Sequence, residues 1–360
     1  MKPRRPIFYF YPMFTHVSWN SIAEKHLEHL EKYFRIYRIN LEAFPFVELL
    51  SKPLIIVHPY FYVVTKWEKH LVKRREKMHG LIGFDVADSD KMSKHAVKLS
   101  GYASALIVPS NFSKKSYVDS GVKVPVHVVP HGVDEKWLDT PPLQPQTFKK
   151  LSKVKKERRL KLILGYFLHS PYRKGLDLFF EFFKQLYNER KDVCIVLKTM
   201  QGVGWFFRPL NRIPPVLEGF MNGLIRISWL TEQQQMELFD ICDMYFLSSR
   251  GGGFEHPPFL GMCRGEVVIG AKGCSWDDWL PEWALIPSKP SKTVLEGNPI
   301  HVGRGVEVLM DKAVDKAVEI LDNLNDYKAR VKEHLSTHVR ENFTWKKICP
   351  KIRDIILRYL

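Results

Sequence analysis

The chain has 360 residues, 45% of them hydrophobic and 26% charged. That excludes a disordered chain and exceeds what one ordinary core holds, so two domains are expected. Fifty-five Lys and Arg against 39 Asp and Glu leave a net charge of +16, which favours anionic partners: nucleotide phosphates, anionic lipid or nucleic acid. Lys-rich surfaces of proteins from hot environments give the same excess.

No apolar run is long enough to cross a bilayer. The run after the basic residues 1–5 spans only about five residues with no small-residue cleavage site behind it, so no signal peptide is expected. The cysteines Cys194, Cys242, Cys263, Cys274 and Cys349 are scattered, without a CxxC pair. They read as small buried hydrophobes of a reducing, cytoplasmic location rather than as a zinc site.

Short strand-like runs alternate with helical patterns, as in parallel α/β layers. In the first half the runs are 7–11, 34–39, 54–57, 81–84, 105–108 and 126–129. A helix between the first two carries Ala23, Leu27, Leu30 and Phe34 on one face. Residues 67–78 read as a basic helix with Trp67, Leu71 and Met78, either solvated or suited to an anionic membrane or a lipid-linked acceptor. Pro141, Pro142 and Pro145 break the periodicity, and the basic run Lys149, Lys150, Lys153, Lys155, Lys156, Arg158 and Arg159 reads as a solvated helix face. In the second half the runs are 160–166, 193–197, 224–227, 244–247 and 267–269. Residues 202–215, with Trp205, Phe206 and Phe207, read as a long loop whose aromatics tuck onto the second domain or form an edge for a partner. The domains are thus expected at 1–145, completed by a C-terminal helix at 343–360, and at 155–342.

Two segments carry the candidate chemistry. Ser170-Pro-Tyr-Arg-Lys-Gly175 follows a strand and opens a helix with Leu176, Phe179, Phe180 and Phe183 on its buried side. Free N–H groups, the charges of Arg173 and Lys174 and the close approach allowed by Gly175 suit a diphosphate. Ser248-Ser-Arg-Gly-Gly-Gly-Phe-Glu-His-Pro-Pro258 joins a strand to a short helix. Gly252, Gly253 and Phe254 would bring main chain to the ligand, with Glu255 and His256 the polar side chains able to act there. Taken singly, each segment also reads as a surface helix start or a tight turn. In the first half, His58, His79, Asp85 and Asp88 are candidates for acid/base or acceptor-orienting work.

The run ALIVPSNFSKKSYVDSGVKVPVHVVPHGVD at 105–134, the Lys-Gly-Leu-Asp helix start at 174–177, the segment 224–270 and Phe343-Thr-Trp345 together resemble the GT-B enzymes of glycosyltransferase family 4. The resemblance covers about residues 80–350. It implies an α/β fold of two Rossmann-like doubly wound domains facing across a cleft. It also implies a retaining, metal-independent transfer from a UDP- or GDP-linked sugar. No other cofactor is implied. The acceptor would be a glycan, a protein or a lipid-linked molecule, with peripheral contact to an anionic membrane and no nucleic acid. Glu255, His79 and Asp88 are the expected catalytic groups, and Arg173, Lys174, Gly175, Gly252, Gly253, Phe254 and Glu255 the donor contacts. The family's two glutamates, eight positions apart, fall on Gly252 and Leu260 here. Tyr166 stands where the family has an arginine, with Arg173 as its substitute. Phe14 to Ser21 replaces the glycine-rich turn after the first strand. A catalytically silent module that binds nucleotide sugar or a partner is the competing reading, followed by a nucleic-acid-binding or DNA-modifying protein.

Overall fold

The computed structural model describes residues 5–15, 17–199 and 230–360. The expected strand 224–227 and the aromatic loop 202–215 lie outside them. Contacts divide the chain into two compact units. Unit 1 comprises residues 1–132, 295–303 and 342–360, and unit 2 comprises 133–294 and 304–341.

Unit 1 is built on a sheet whose central strands are apolar on both faces, as a parallel sheet covered on both sides requires, while its edge strands are partly polar and exposed. These are β1 (Ile7–Tyr11), β2 (Ile36–Asn40), β3 (Leu54–Val57), β4 (Gly80–Phe84), β5 (Ala105–Val108) and β6 (Val126–Val128), in the order 2-1-3-4-5-6. Ile7 pairs with both Ile36 and Leu54, so the order reverses around β1. The carboxyl ends of β1 and β3 therefore form a topological switch point, where such sheets bind ligands. The period-2 alternation of strand side chains sends Ile7, Tyr9 and Tyr11 to one face and Phe10 to the other. The first face is covered by the helices Ser18–Leu30 and Trp345–Arg358, the second by Tyr60–Arg74 and Lys94–Ser100. The C-terminal helix thus belongs to unit 1, held by Trp345, Ile348, Cys349, Ile352, Ile355 and Ile356.

Unit 2 has a second parallel sheet, β7 (Lys161–Phe167), β8 (Val193–Thr199), β9 (Met244–Leu247), β10 (Val267–Ala271) and β11 (Leu285–Ile286), in the order 11-10-9-7-8. Its order reverses between β7 and β9. The helix Leu176–Glu189 buries Leu176, Phe179, Phe180, Phe182, Phe183 and Leu186, and Phe182 stacks on Phe246 at 3.9 Å. An antiparallel pair, β12 (Ser288–Thr293) with β13 (Arg304–Val308), was not expected. Its first strand, Ser-Lys-Pro-Ser-Lys-Thr, has no apolar alternation to announce it.

Residues 133–145 pack with unit 2, whereas the sequence reading grouped them with the first domain. Arg264 explains this: its guanidinium donates to the carbonyls of Trp137, Thr140 and Pro141. The Trp137 indole also donates to Glu232 at 2.8 Å.

Because Ile352 is fully buried between the sheet and the helix Ser18–Leu30, Ile352→Ala should destabilise unit 1 by about 2–5 kcal/mol. Denaturant titration should show an earlier transition, and an unchanged one would mean that the C-terminal helix contributes little to that core.

Candidate functional site

The two segments singled out in the second half meet at the carboxyl edge of the unit 2 sheet. The first does not open the long helix directly. Pro171–Lys174 form a single helical turn that ends at Gly175, and the long helix begins at Leu176. Gly175 has φ +69°, and a Cβ there would overlap the carbonyl of Ser248. Only glycine serves both the left-handed backbone and the close approach. Main-chain bonds tie the segments further: Arg250 N–H donates to Arg173 O at 2.7 Å, and Ser248 Oγ–H to Lys174 O at 3.0 Å.

The predicted donor contacts Arg173, Lys174, Gly175, Gly252, Gly253, Phe254 and Glu255 are all brought together here. Lys174 Nζ donates to both oxygens of Glu255, at 2.7 and 2.5 Å. Arg173 donates to Gly251 O at 2.8 Å and lies 3.6 Å from Glu255 Oε1. Glu255 is buried, holds φ +63° and precedes the helix His256–Cys263. Phe254 is a buried anchor whose carbonyl accepts from the Trp279 indole at 2.9 Å. The N–H groups of Gly251, Gly252 and Gly253 are buried and donate no hydrogen bond among the described residues. Buried amides are nearly always paired, so three in a row beside two cations are donors whose chemistry suits an anion, and together they are called the cradle.

Beneath the cradle lies a residue to which sequence reasoning gave no role. Arg250, 3% exposed, donates to Asp177 at 2.7 and 2.6 Å, to Glu307 at 2.7 Å and to Tyr172 O at 2.7 Å. Its guanidinium also lies 4.0 Å from the Tyr172 ring centroid. The one signal for it was its place beside three glycines. Tyr166, where glycosyltransferase family 4 has an arginine, stacks on Phe239 and is buried. Arg250→Met should cost about 2–3 kcal/mol, because it strands Asp177 and Glu307 while both keep some solvent. It should also speed amide exchange at residues 249–254. Exchange equal to wild type would show that the loops stand without Arg250.

In unit 1, the carboxyl ends of β1, β3 and β4 carry a second cluster. The Tyr9 hydroxyl is 2.9 Å from His26 Nδ1 and 3.2 Å from His58 Nδ1. The two imidazoles stack with 5.5 Å between centroids. Beside them, Trp19, Asp85 and His131 border a cavity of about 10 Å³, room for about one water molecule. Asp85 accepts from Phe61 N–H at 2.7 Å and Val86 N–H at 2.8 Å, and burial pushes its carboxyl up to about 7. Burial lowers His26 to about 3 and pushes His58 in the same direction, with His26 and His131 adding to the latter. Of the two first-half candidates given a catalytic role, Asp88 is half-buried, its N–H directed at His301 Nδ1. His79 is exposed at the amino end of β4, at the opposite edge of the sheet from His58 and Asp85. Tyr9, His26 and Trp19 were missed, because nothing in sequence spacing links residues 9, 19, 26 and 58.

The histidines set a pH dependence. The unfolded chain takes up a proton on His26 below about 6.5 and the folded chain only near 3. Stability is therefore full above pH 6.5 and is lost as pH falls toward 3, at up to about 1.4 kcal/mol per pH unit. Asp85 works the other way: its protonated form stabilises below about 3.8, and that contribution is lost by about 7. His26→Phe should flatten the fall in Tm between pH 6.5 and 4. An unchanged slope would mean that His26 is not buried neutral.

No family model matches the sequence. The uncharacterized protein 356 of Sulfolobus islandicus rod-shaped virus 1 is 30% identical over 368 residues, covering 99% of each chain. "Putative glycosyltransferase 45" of Sulfolobus islandicus filamentous virus is 27% identical over 289 residues, 76% of this chain and 73% of that one. Among solved structures, HepE of Anabaena with UDP and glucose is 14% identical with a TM-score of 0.69, covering 99% of this chain and 100% of that one. Sucrose-phosphate synthase of Thermosynechococcus elongatus is 11% identical with a TM-score of 0.71, covering 99% of both. At these identities the structural likeness shows the fold, which is GT-B.

Proposed function

The chain belongs to the family of protein 356 of Sulfolobus islandicus rod-shaped virus 1, and we propose that it is a glycosyltransferase acting on a nucleotide-linked sugar. The observation that carries this reading is the cradle of Gly251, Gly252 and Gly253 amides beside Arg173 and Lys174, at the carboxyl edge of a GT-B sheet. Two comparisons support it: the filamentous-virus relative bears a glycosyltransferase name, and HepE was crystallised with UDP. We take the donor to be UDP-linked and the reaction to be retaining and independent of metal, with the leaving diphosphate held by the amides, Arg173 and Lys174.

Glu255 would exchange partners in this scheme. Without donor it neutralises Lys174. With donor, Lys174 turns to the phosphates, and the freed carboxylate faces the sugar, where positive charge develops as the bond to phosphate breaks. In unit 1 the neutral imidazole of His58 and the carboxyl of Asp85 are the groups suited to orient sugar or acceptor hydroxyls. The acceptor would be a glycan, a protein or a lipid-linked molecule. Contact with an anionic membrane is supported by Phe46 and Leu50, 82% and 70% exposed, on a segment bonded to the basic helix Tyr60–Arg74 through Arg74 and Phe44 O. No helix among the described residues is long and apolar enough to cross a membrane. The silent-module reading is favoured by Gly252 and Leu260, which stand where glycosyltransferase family 4 has its two glutamates.

Turnover of a panel of nucleotide sugars separates the two. Lys174→Ala should weaken UDP binding about tenfold or more, the worth of one charge-assisted hydrogen bond. Glu255→Gln should leave UDP binding equal or tighter while turnover falls about tenfold or more. UDP binding without turnover of any donor would favour the silent module. UDP affinity insensitive to Lys174→Ala would place the phosphate site elsewhere.

A further inference from the structure

The basic run 149–159 has no part in the proposed transfer, and it lies at the other edge of the unit 2 sheet. The helix Lys149–Glu157 leads into Lys161 at the start of β7, whereas the glycine-rich cradle lies beyond the strand's far end at Phe167. Seven residues at about 3.3 Å each separate these edges by roughly 20 Å. At the amino-end edge, residues 142–145, the helix Lys149–Glu157 and the end of the helix Glu232–Ile241 border an open pocket of about 390 Å³. That is within the range of small-molecule sites.

The acids near this pocket are already engaged. Asp240 takes two bonds from Arg264, at 2.9 and 2.8 Å, and one from Leu143 N–H at 2.8 Å. Asp243 pairs with Lys155 at 2.8 Å. The side chains of Lys156, Arg159 and Lys161 also line the pocket, and they make no hydrogen bond or ion pair among the described residues. Lys156 suits the negative end of its helix, which accounts for it without a ligand. Arg159 and Lys161 lie past the helix end, Arg159 exposed to solvent and Lys161 within electrostatic reach of Asp192, whose carboxylate is bonded to Arg190. Arg159 also holds φ +53° where the helix closes, with Leu160 N–H bonded to Lys155 O at 2.9 Å. Glycine is the favoured residue at such a position, and this chain has a cation there. Pro142, Leu143 and Pro145 add apolar side chains to the lining.

We propose that this pocket binds a phosphorylated small molecule, with its phosphate on Lys156, Arg159 and Lys161 and its organic part against Pro142, Leu143 and Pro145. The site is separate from the cradle, and the proposal does not rest on the transferase reading. Calorimetry on the full chain tests it, with AMP, inorganic phosphate and a 20-nucleotide single-stranded DNA as probes. The variants are Lys174→Ala and the double variant Arg159→Gly with Lys161→Gln. Arg159→Gly suits the left-handed backbone, so folding is not at stake. AMP should bind wild type more tightly than inorganic phosphate, lose at least tenfold in affinity in the double variant and bind Lys174→Ala as wild type. Unaltered AMP affinity in the double variant, or loss with Lys174→Ala, would overturn the proposal. So would equal affinities for AMP and phosphate, which would leave the apolar side chains without a role. DNA binding lost in the double variant, without AMP binding in wild type, would make this edge a nucleic-acid contact instead.

Discussion

Arg250 ties its loop to two regions of unit 2 distant from it in sequence: residues 172–177, through Asp177 and the carbonyl and ring of Tyr172, and strand β13, through Glu307. Its own carbonyl accepts from Val306 N–H at 2.8 Å. A guanidinium can make such a node because its donors are fixed in one plane and it stays charged when buried. Gly175 supplies the complementary constraint, since anything larger would push Ser248 away. Together they hold the amides of the glycine run and the cations of the neighbouring turn in one place before any ligand arrives. Such preorganisation spares a site the cost of ordering loops at the moment of binding.

The charges above that node leave one positive charge in excess. Two cations, Arg173 and Lys174, face one buried carboxylate, Glu255. Breaking a buried pair is expensive when one partner is left alone, and cheap when a new anion replaces the old one. A diphosphate would be that anion, and the three glycine amides would add donors that Glu255 does not use. The pairing of Lys174 with Glu255 is thus compatible with a site at rest, and it gives the shifted glutamate a role that the family spacing did not anticipate.

Much of this was legible in the sequence, because buried parallel strands are short continuous apolar runs. Strands β1, β3, β5 and β9 coincide with the runs 7–11, 54–57, 105–108 and 244–247. The pair β12 and β13 was not legible: Ser-Lys-Pro-Ser-Lys-Thr draws its strand conformation from a partner eleven or more residues away. The two segments that meet at the edge of the unit 2 sheet were singled out because each sets glycine and charge side by side. Arg250 lay inside one of these segments, yet its importance depends on Asp177 and Glu307, which no local pattern reveals. The unit 1 cluster shows the limit most clearly. Tyr9, His26 and His58 meet only because three elements converge at a switch point, while His79 sits on the opposite edge of the sheet.

The most direct test of the central claim is a crystal structure of the chain with UDP. The account predicts the diphosphate oxygens at about 3 Å from the amides of Gly252 and Gly253 and from Lys174 Nζ, with Lys174 and Glu255 parted and the bonds of Arg250 unchanged. A diphosphate bound elsewhere, with Lys174 still on Glu255, would contradict it.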